Sequence, residues 1–199
     1  SRLTNHSMSH LAAYTNLESL EPPRIIDDGG LAHLAQIPNL MHLNLYAGTN
    51  TTISDEGLAH VATMTPLRSL VISGSVEMTD AGLESLSSLS ELRELSLLTW
   101  SGNLTGDGVV SLGRLKKLRK LDLSLSKSDV PLSALSGLNT LTNLTHLDVD
   151  GFQQDGSILD LSPLQRLKQV ALNIEGGLRD DDVACLAGLD QLRWVRNLS

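Results

Sequence analysis

A leucine spacing of three that shifts to two runs through residues 79–97, TDAGLESLSSLSELRELSL. The ladder consists of Leu83, Leu86, Leu89, Leu92, Leu95 and Leu97. An amphipathic helix spaces its apolar residues three, four and seven apart, and a half-buried strand spaces them two apart. A strict run of threes fits neither element. We therefore predict a short helix, then a turn, and then a strand that begins at the step of two.

The same ladder recurs along the whole chain, as expected for a repeat protein. Its units begin near residues 7, 30, 57, 82, 108, 134, 157 and 182. One such unit cannot bury its apolar face alone, so neighbouring units must stack on each other. We predict a single α/β domain over residues 1–199. It is a right-handed solenoid of about eight coils, with parallel strands on the inside and short α- or 3₁₀-helices on the outside.

Composition agrees with a repeated core and excludes several functions. Leucine supplies about a fifth of the residues, while aromatic residues make up only 3%. The net charge of −8 argues against a nucleic-acid partner, because nucleic-acid binders carry a basic face. Cys185 is the only cysteine, so we expect neither a disulfide framework nor a cysteine-based zinc site. No apolar run reaches about 18 residues, so we expect no membrane span.

Three units also show where their helices begin. A hydroxyl residue opens each of the motifs SDEGL, TDAGL and TGDGV. We predict that these residues, Ser54, Thr79 and Thr105, are N-caps, because a hydroxyl there accepts a hydrogen bond from the first helical turn. Asp55, Asp80 and Asp107 then lie in or beside that turn, where the helix dipole favours a negative charge. We interpret these aspartates as part of the caps rather than as a ladder of metal ligands.

The repeats resemble those of the leucine-rich-repeat family, with its signature LxxLxLxx(N/C/T)xL, over about residues 7–198. LRSLVISGSVEMTDAGLESL (67–86) is similar to a bacterial, notably planctomycete, variant and to the repeats of F-box-type receptors. LSALSGLNTLTNLTHLDV and LDLSPLQRLKQVAL look more like internalin repeats. The resemblance implies a curved horseshoe that binds proteins or other ligands mostly on its concave strand face. The usual asparagine after the strand is missing throughout.

The two ends of the repeat array differ. Pro22 and Pro23 follow the first strand position and cannot donate to a ladder, so we predict an edge strand there. The last unit reads WVRNLS and has no such device. We therefore expect the chain to be part of a longer protein.

Charged residues between the strand leucines point away from the core. Equivalent positions on neighbouring parallel strands lie about 4.8 Å apart. This predicts a cluster of Asp122, Asp148 and Asp150, flanked by Lys120 and His146, that binds basic groups of a partner. The alternative is a solvated acidic face balanced by Lys120.

Rare aromatic residues mark a second candidate surface. Trp100 and Phe152 occupy equivalent positions two coils apart, on one rim, and aromatic residues are favoured interface anchors. Burial inside the coil is the alternative for both rings. The complete set of predicted partner-binding residues is Tyr46, Glu94, Leu98, Trp100, Lys120, Asp122, His146, Asp148, Asp150 and Phe152.

No motif indicates catalysis. His33 and His60 have no carboxylate or cysteine spaced beside them, and the basic run over residues 114–120 is better explained as a solvated face than as a phosphate site. We therefore expect no enzyme activity, no metal and no cofactor. The leading interpretation is a recognition module for a protein partner. The alternatives are the substrate-receptor part of a larger assembly, such as a ubiquitin-ligase adaptor or bacterial effector, and a structural or cell-surface protein.

Overall fold

The computed structural model describes residues 5–48, 52–99, 103–125 and 128–196. The strands are β1 (Ser19–Leu20), β2 (His42–Ala47), β3 (Ile53–Ser54), β4 (Ser69–Gly74), β5 (Val76–Glu77), β6 (Glu94–Thr99), β7 (Lys120–Leu125), β8 (His146–Gln153), β9 (Gln169–Glu175) and β10 (Trp194–Arg196). The α-helices are α1 (Asn5–Ser9), α2 (Asp28–Leu34), α3 (Asp55–Ala62), α4 (Asp80–Leu86), α5 (Gly106–Ser111) and α6 (Asp180–Ala184). The 3₁₀-helices are His10–Ala13, Leu112–Arg114, Leu132–Thr140 and Cys185–Gly188.

The main sheet has eight parallel strands in the order β1-β2-β4-β6-β7-β8-β9-β10. Each strand pairs with the strand of the next coil, so leucine stacks on leucine, as in the row Leu70, Leu95 and Leu121. Helices precede β1 and connect the later strands of the main sheet, except between β8 and β9, where the chain forms turns. The predicted solenoid of parallel strands and short helices is confirmed. The sequence pattern does not predict a small second sheet, in which β3 pairs with β5.

The leucine ladder of residues 79–97 fills the core as predicted. Two leucines lie on α4, two in the following turn and two on β6, and each is at most 2% exposed. Each buried leucine contributes roughly 1.5–3 kcal/mol, most of which is offset by the entropy lost on folding. The leucine spacing of three therefore belongs to the helix and turn, and the final spacing of two belongs to the strand.

The predicted N-caps are also present. The side chains of Ser54, Thr79 and Thr105 each accept a hydrogen bond from the amide two residues further on, at 3.2, 3.2 and 3.3 Å. At the first edge of the sheet, β1 has only two residues and pairs on one side with β2. Pro22 follows it closely and has no amide hydrogen to donate to a further strand.

The aspartates at the helix starts also bind the next coil, which sequence alone does not predict. Asp55 accepts hydrogen bonds from the amide of Thr79 at 2.9 Å and from its hydroxyl at 2.6 Å. Asp80 binds Thr105 in the same way, at 2.9 and 2.5 Å. Asp28 likewise binds Ser54, at 2.9 and 2.5 Å. These three pairs form an aspartate ladder that joins successive coils on the convex side.

The aspartate ladder explains the glycine of the DxGL motif. A Cβ atom at Gly82 would lie 2.7 Å from Leu58 Cδ1 and under 3.0 Å from Asp55 Oδ1. Gly57 and Gly108 face the preceding coil in the same way. Only a residue without a side chain lets the carboxylate approach so closely.

Within the residues that the structure describes, no helix has the length and apolar character needed to cross a membrane.

Candidate functional site

The concave face carries three columns of side chains, in the register that the repeat predicts. The first column contains Ser19, His42, Ser69, Glu94, Lys120, His146, Gln169 and Trp194. The second contains Asn44, Val71, Ser96, Asp122, Asp148, Ala171 and Arg196. The third contains Tyr46, Ser73, Leu98, Ser124, Asp150 and Asn173. The alternation arises because every second strand residue faces inward.

The structure brings the three predicted aspartates together, and we call them the acidic cluster. Asp122 on β7 pairs in register with Asp148 on β8, and Asp150 lies two residues further along β8. Donors surround the cluster on both sides. The hydroxyl of Ser96 donates to Asp122 at 3.3 Å, and that of Ser124 donates to Asp150 at 3.1 Å.

Two polar side chains approach the acidic cluster from the following coils. The amide of Asn173 donates to Asp150 Oδ1 at 2.7 Å. The guanidinium of Arg196 lies 3.4 Å from Asp148 Oδ2, although the two residues sit two strands apart. The residue between them in the second column is Ala171, whose small side chain lets Arg196 cross over it. This ion pair is exposed and contributes only modestly to stability.

Crowding of carboxylates changes the titration of the acidic cluster. Burial raises the pKa of Asp122 above its ordinary value, and the neighbouring charge of Asp148 raises it further. The hydrogen bond from Ser96 acts in the opposite direction but does not cancel the increase. The negative charge on Asp122 is therefore held at a cost. A cation placed beside it relieves that cost.

Lys120, Glu94 and His146 border the acidic cluster at the starts of the strands. Lys120 Nζ lies 2.9 Å from Glu94 Oε1, and both side chains are about half exposed. Burial lowers the pKa of His146, and the charges of Lys120 and Lys168 lower it further. His146 Nδ1 also lies 2.8 Å from the hydroxyl of Thr145. His146 is thus predominantly neutral near pH 7.

Two adjoining depressions lie over the acidic cluster and share Asp122 and Asp148. One, of about 210 Å³, is lined by Lys120, Leu121, Asp122, His146, Leu147, Asp148, Gln169, Ala171 and Trp194. The other, of about 250 Å³, is lined by Leu98, Asp122, Ser124, Asp148, Asp150, Asn173 and Arg196. Each combines carboxylates with one exposed apolar side chain, Trp194 in the first and Leu98 in the second.

Tyr46 lies away from the acidic cluster. It occupies the third column on β2, and its ring is 4.1 Å from the guanidinium carbon of Arg24. Leu98 lies two strands away with Ser73 between them, and Leu98 and Tyr46 are each 38% exposed. The two residues are accessible, but they form no continuous apolar patch with each other.

Phe152 is not exposed, so its prediction as a partner-binding residue is wrong. The ring is fully buried in the core, with 0% of its surface exposed. The cause is a bulge in β8, where the register shifts between Asp150 and Phe152. Gly151 takes up the extra residue in the left-handed conformation, with φ of 85°, and this turns Phe152 inward. Trp100 lies outside the described residues.

Trp194 and Arg196 are accessible residues that the predicted set omits. Trp194 is 44% exposed, and the guanidinium carbon of Arg196 lies 4.9 Å from the centre of its ring. The sequence carries a signal for both residues, because they belong to the columns that the repeat register defines. Within the described part of the chain, no group of three or more histidine, cysteine, aspartate or glutamate residues could hold a metal ion.

Comparison with known proteins gives matches in structure. No protein-family model matches the chain, and no curated protein matches it significantly. Internalin C2 from Listeria monocytogenes is 25% identical, with a TM-score of 0.65, and the match covers 95% of this chain and 73% of that one. Internalin F from the same organism is 20% identical, with a TM-score of 0.63, over 96% of this chain and 58% of that one. The chain has the leucine-rich-repeat fold.

The PEPR1–AtPEP1 crystal structure shares this leucine-rich-repeat fold, with 20% identity and a TM-score of 0.56. The match covers 95% of this chain but only 26% of that one. This leucine-rich-repeat chain therefore spans little more than half the length of internalin F and about a quarter of the PEPR1 chain. Together these neighbours establish the fold of the chain.

Proposed function

We propose that this leucine-rich-repeat protein is a non-catalytic recognition module that binds a protein partner on its concave strand face. The observation that carries the proposal is the pair of depressions over the acidic cluster. They present Asp122 and Asp148 on rigid, neighbouring strands, where a ligand group meets fixed side chains. A preorganised surface loses little conformational entropy on binding, so more of the contact energy appears as affinity.

The chemistry of the depressions defines the kind of side chain they accept. A lysine or arginine of the partner would enter between Asp122 and Asp148 and relieve the cost of their adjacent charges. Trp194 and Leu98, one in each depression, would cover the apolar stem or a neighbouring apolar residue. We therefore propose that the partner inserts a basic side chain flanked by apolar surface.

A charge-matched pair of variants tests this proposal. The first, D122N/D148N/D150N, neutralises the acidic cluster. The control, E56Q/D107N/D190N, removes the same number of negative charges from exposed positions outside the concave face. Each immobilised protein is mixed with native lysate, and the bound proteins are quantified by mass spectrometry. We expect at least one protein captured by wild type and control to fall about tenfold or more with the cluster variant.

Contact is then located with a photo-crosslinking amino acid. Leu98 on the concave face and Val110 on the convex face are both exposed, so either position tolerates the substitution. We expect crosslinks to the captured protein from position 98 and none from position 110. Equal capture by both triple variants, or crosslinks only from position 110, would overturn the concave-face proposal.

A further inference from the structure

A column of basic residues lies immediately before the strands of the main sheet. At each position in this column a backbone carbonyl accepts two amides of the next coil, as Arg93 O does from Arg119 N at 2.7 Å and Lys120 N at 3.1 Å. The same pattern connects Glu18, Met41, Arg68, Arg93, Arg119, Thr145, Lys168 and Arg193. Five of these eight are basic, and we call Arg68, Arg93, Arg119, Lys168 and Arg193 the basic edge.

The basic edge concentrates positive charge on a chain whose net charge is −8. All five side chains are exposed, and none forms an ion pair within the described residues. Glu91 pairs with Lys117 at 2.5 Å and attracts Arg68 and Arg93 only at longer range, and Glu94 pairs with Lys120 at 2.9 Å. Like charges at neighbouring positions of a sheet cost stability, so an anionic ligand bound here would relieve the repulsion between these side chains.

A depression opens along the basic edge, and at about 490 Å³ it is larger than either depression over the acidic cluster. Its lining comprises Glu94, Arg119, Lys120, Asn143, Thr145, Arg166, Lys168 and Gln191. Four of these are cations, and the one carboxylate is paired with Lys120. Because guanidinium groups bind carboxylates through two parallel hydrogen bonds, Arg119 supplies a directional anion contact.

The basic edge and the acidic cluster lie side by side. Arg119 lies immediately before β7 and three residues before Asp122, which corresponds to about 10 Å of extended chain. A nucleic acid or a sulfated polysaccharide carries anionic groups throughout, so it would meet repulsion from the acidic cluster while it contacts the basic edge. A polypeptide can change the sign of its charge over that distance.

We propose that the basic edge binds an acidic polypeptide segment of the same partner that places a basic side chain at the acidic cluster. This inference rests on the proposed function and adds a second, oppositely charged contact to it. The partner surface then carries carboxylates and a cation roughly 10 Å apart, in the order set by the strand direction. Opposite charges in two fixed places define one orientation of the partner and repel the reverse one.

The test uses a fluorescein-labelled hexaglutamate peptide and fluorescence anisotropy at low ionic strength. The variant R119Q/K168Q removes one arginine and one lysine from the lining of the depression. The control R114Q/K116Q removes the same two residue types from the end of the 3₁₀-helix Leu112–Arg114 and the turn after it, outside the lining of the depression. We expect R119Q/K168Q to weaken peptide binding at least fivefold and the control to change it less than twofold. Added salt should weaken binding to the wild type.

Further arms separate the competing outcomes. No binding of hexaglutamate, or equal binding by both variants, would overturn the basic-edge inference while leaving lysate capture through the acidic cluster intact. Tighter binding of a heparin hexasaccharide or a short DNA duplex than of hexaglutamate, lost in R119Q/K168Q, would also overturn it. A third outcome is that R119Q/K168Q abolishes hexaglutamate binding while D122N/D148N/D150N leaves lysate capture unchanged. This outcome would support the basic edge and refute the proposed role of the acidic cluster.

Discussion

Replacing Gly82 with alanine tests whether the aspartate ladder fixes the glycine of each repeat. In an ordinary helix interior this change stabilises a protein by about 0.5–1 kcal/mol. Here the new methyl group would lie 2.7 Å from Leu58 Cδ1 and would overlap the carboxylate of Asp55. Asp55 must then move away, which weakens its two hydrogen bonds to Thr79.

The size of the effect follows from those two hydrogen bonds. A hydrogen bond to a charged group contributes about 1.5–3 kcal/mol. Asp55 is partly exposed, so we use the lower figure for both bonds and subtract about 1 kcal/mol for the gain in helix propensity. The expected loss is about 2 kcal/mol in the free energy of unfolding. For a chain of this size it corresponds to a decrease of roughly 4–8 °C in Tm.

A double-mutant cycle measured by urea unfolding and circular dichroism checks the reasoning. Asp55→Ala removes the carboxylate, so Gly82→Ala should cost at least about 1 kcal/mol less in that background. Gly188→Ala is the control, because a Cβ atom there meets no atom within 4 Å and the expected change is within about 0.5 kcal/mol. An increase in stability for Gly82→Ala, or an equal loss with and without Asp55, would refute the steric explanation of the motif.

Three further substitutions have defined outcomes in unfolding measurements. Because the pKa of Asp122 is raised in the folded protein, its negative charge opposes folding above that pKa, and this penalty disappears below about pH 3. Asp122→Asn should therefore stabilise the protein at pH 7, by on the order of 0.5 kcal/mol after allowance for solvent screening. At pH 3 the same substitution should have little effect on stability. Burial acts to raise the pKa of Asp182, but hydrogen bonds such as that from Leu159 N at 2.8 Å hold the pKa below its ordinary value. Asp182→Ala should therefore cost about 3 kcal/mol of stability at neutral pH. The loss should become smaller as the pH falls below about 4. Phe152→Ala should cost about 3–5 kcal/mol by leaving a cavity, while the folded fraction still captures the partner.

The sequence predicts the features of this fold that repeat from coil to coil. The leucine spacing identifies which residues face the core in the coils of β2, β4, β6, β7 and β8, where the same six positions are buried. It fails in the outer coils, where the corresponding Tyr14, Ile158 and Val195 are exposed. Parallel strands in register then place Asp122 beside Asp148, since both follow the first strand leucine of their coil. The acidic cluster could therefore be assembled from the sequence alone.

Features that depend on a single coil could not be predicted in this way. Phe152 aligns with Trp100 in the sequence, but the bulge at Gly151 adds one residue and reverses the direction of the side chain. The contact of Arg196 with Asp148 depends on the small Ala171 between them, which the repeat pattern does not predict. The aspartate ladder needs the separation of adjacent helices, which is a property of the folded solenoid.

The interruption of the aspartate ladder has a mechanical consequence. After Thr105, the aspartate position is taken by Gly106 and the next helix start by Pro131, which has no amide proton and no hydroxyl. The convex side thus has a seam between the coil of β7 and the coil of β8, where nearest-neighbour coupling lacks this pair of hydrogen bonds. Asp122 and Asp148 lie on opposite sides of that seam. A cationic ligand group bound between Asp122 and Asp148 would couple the two coils across the seam. Ligand binding should therefore make the two parts of the solenoid unfold together.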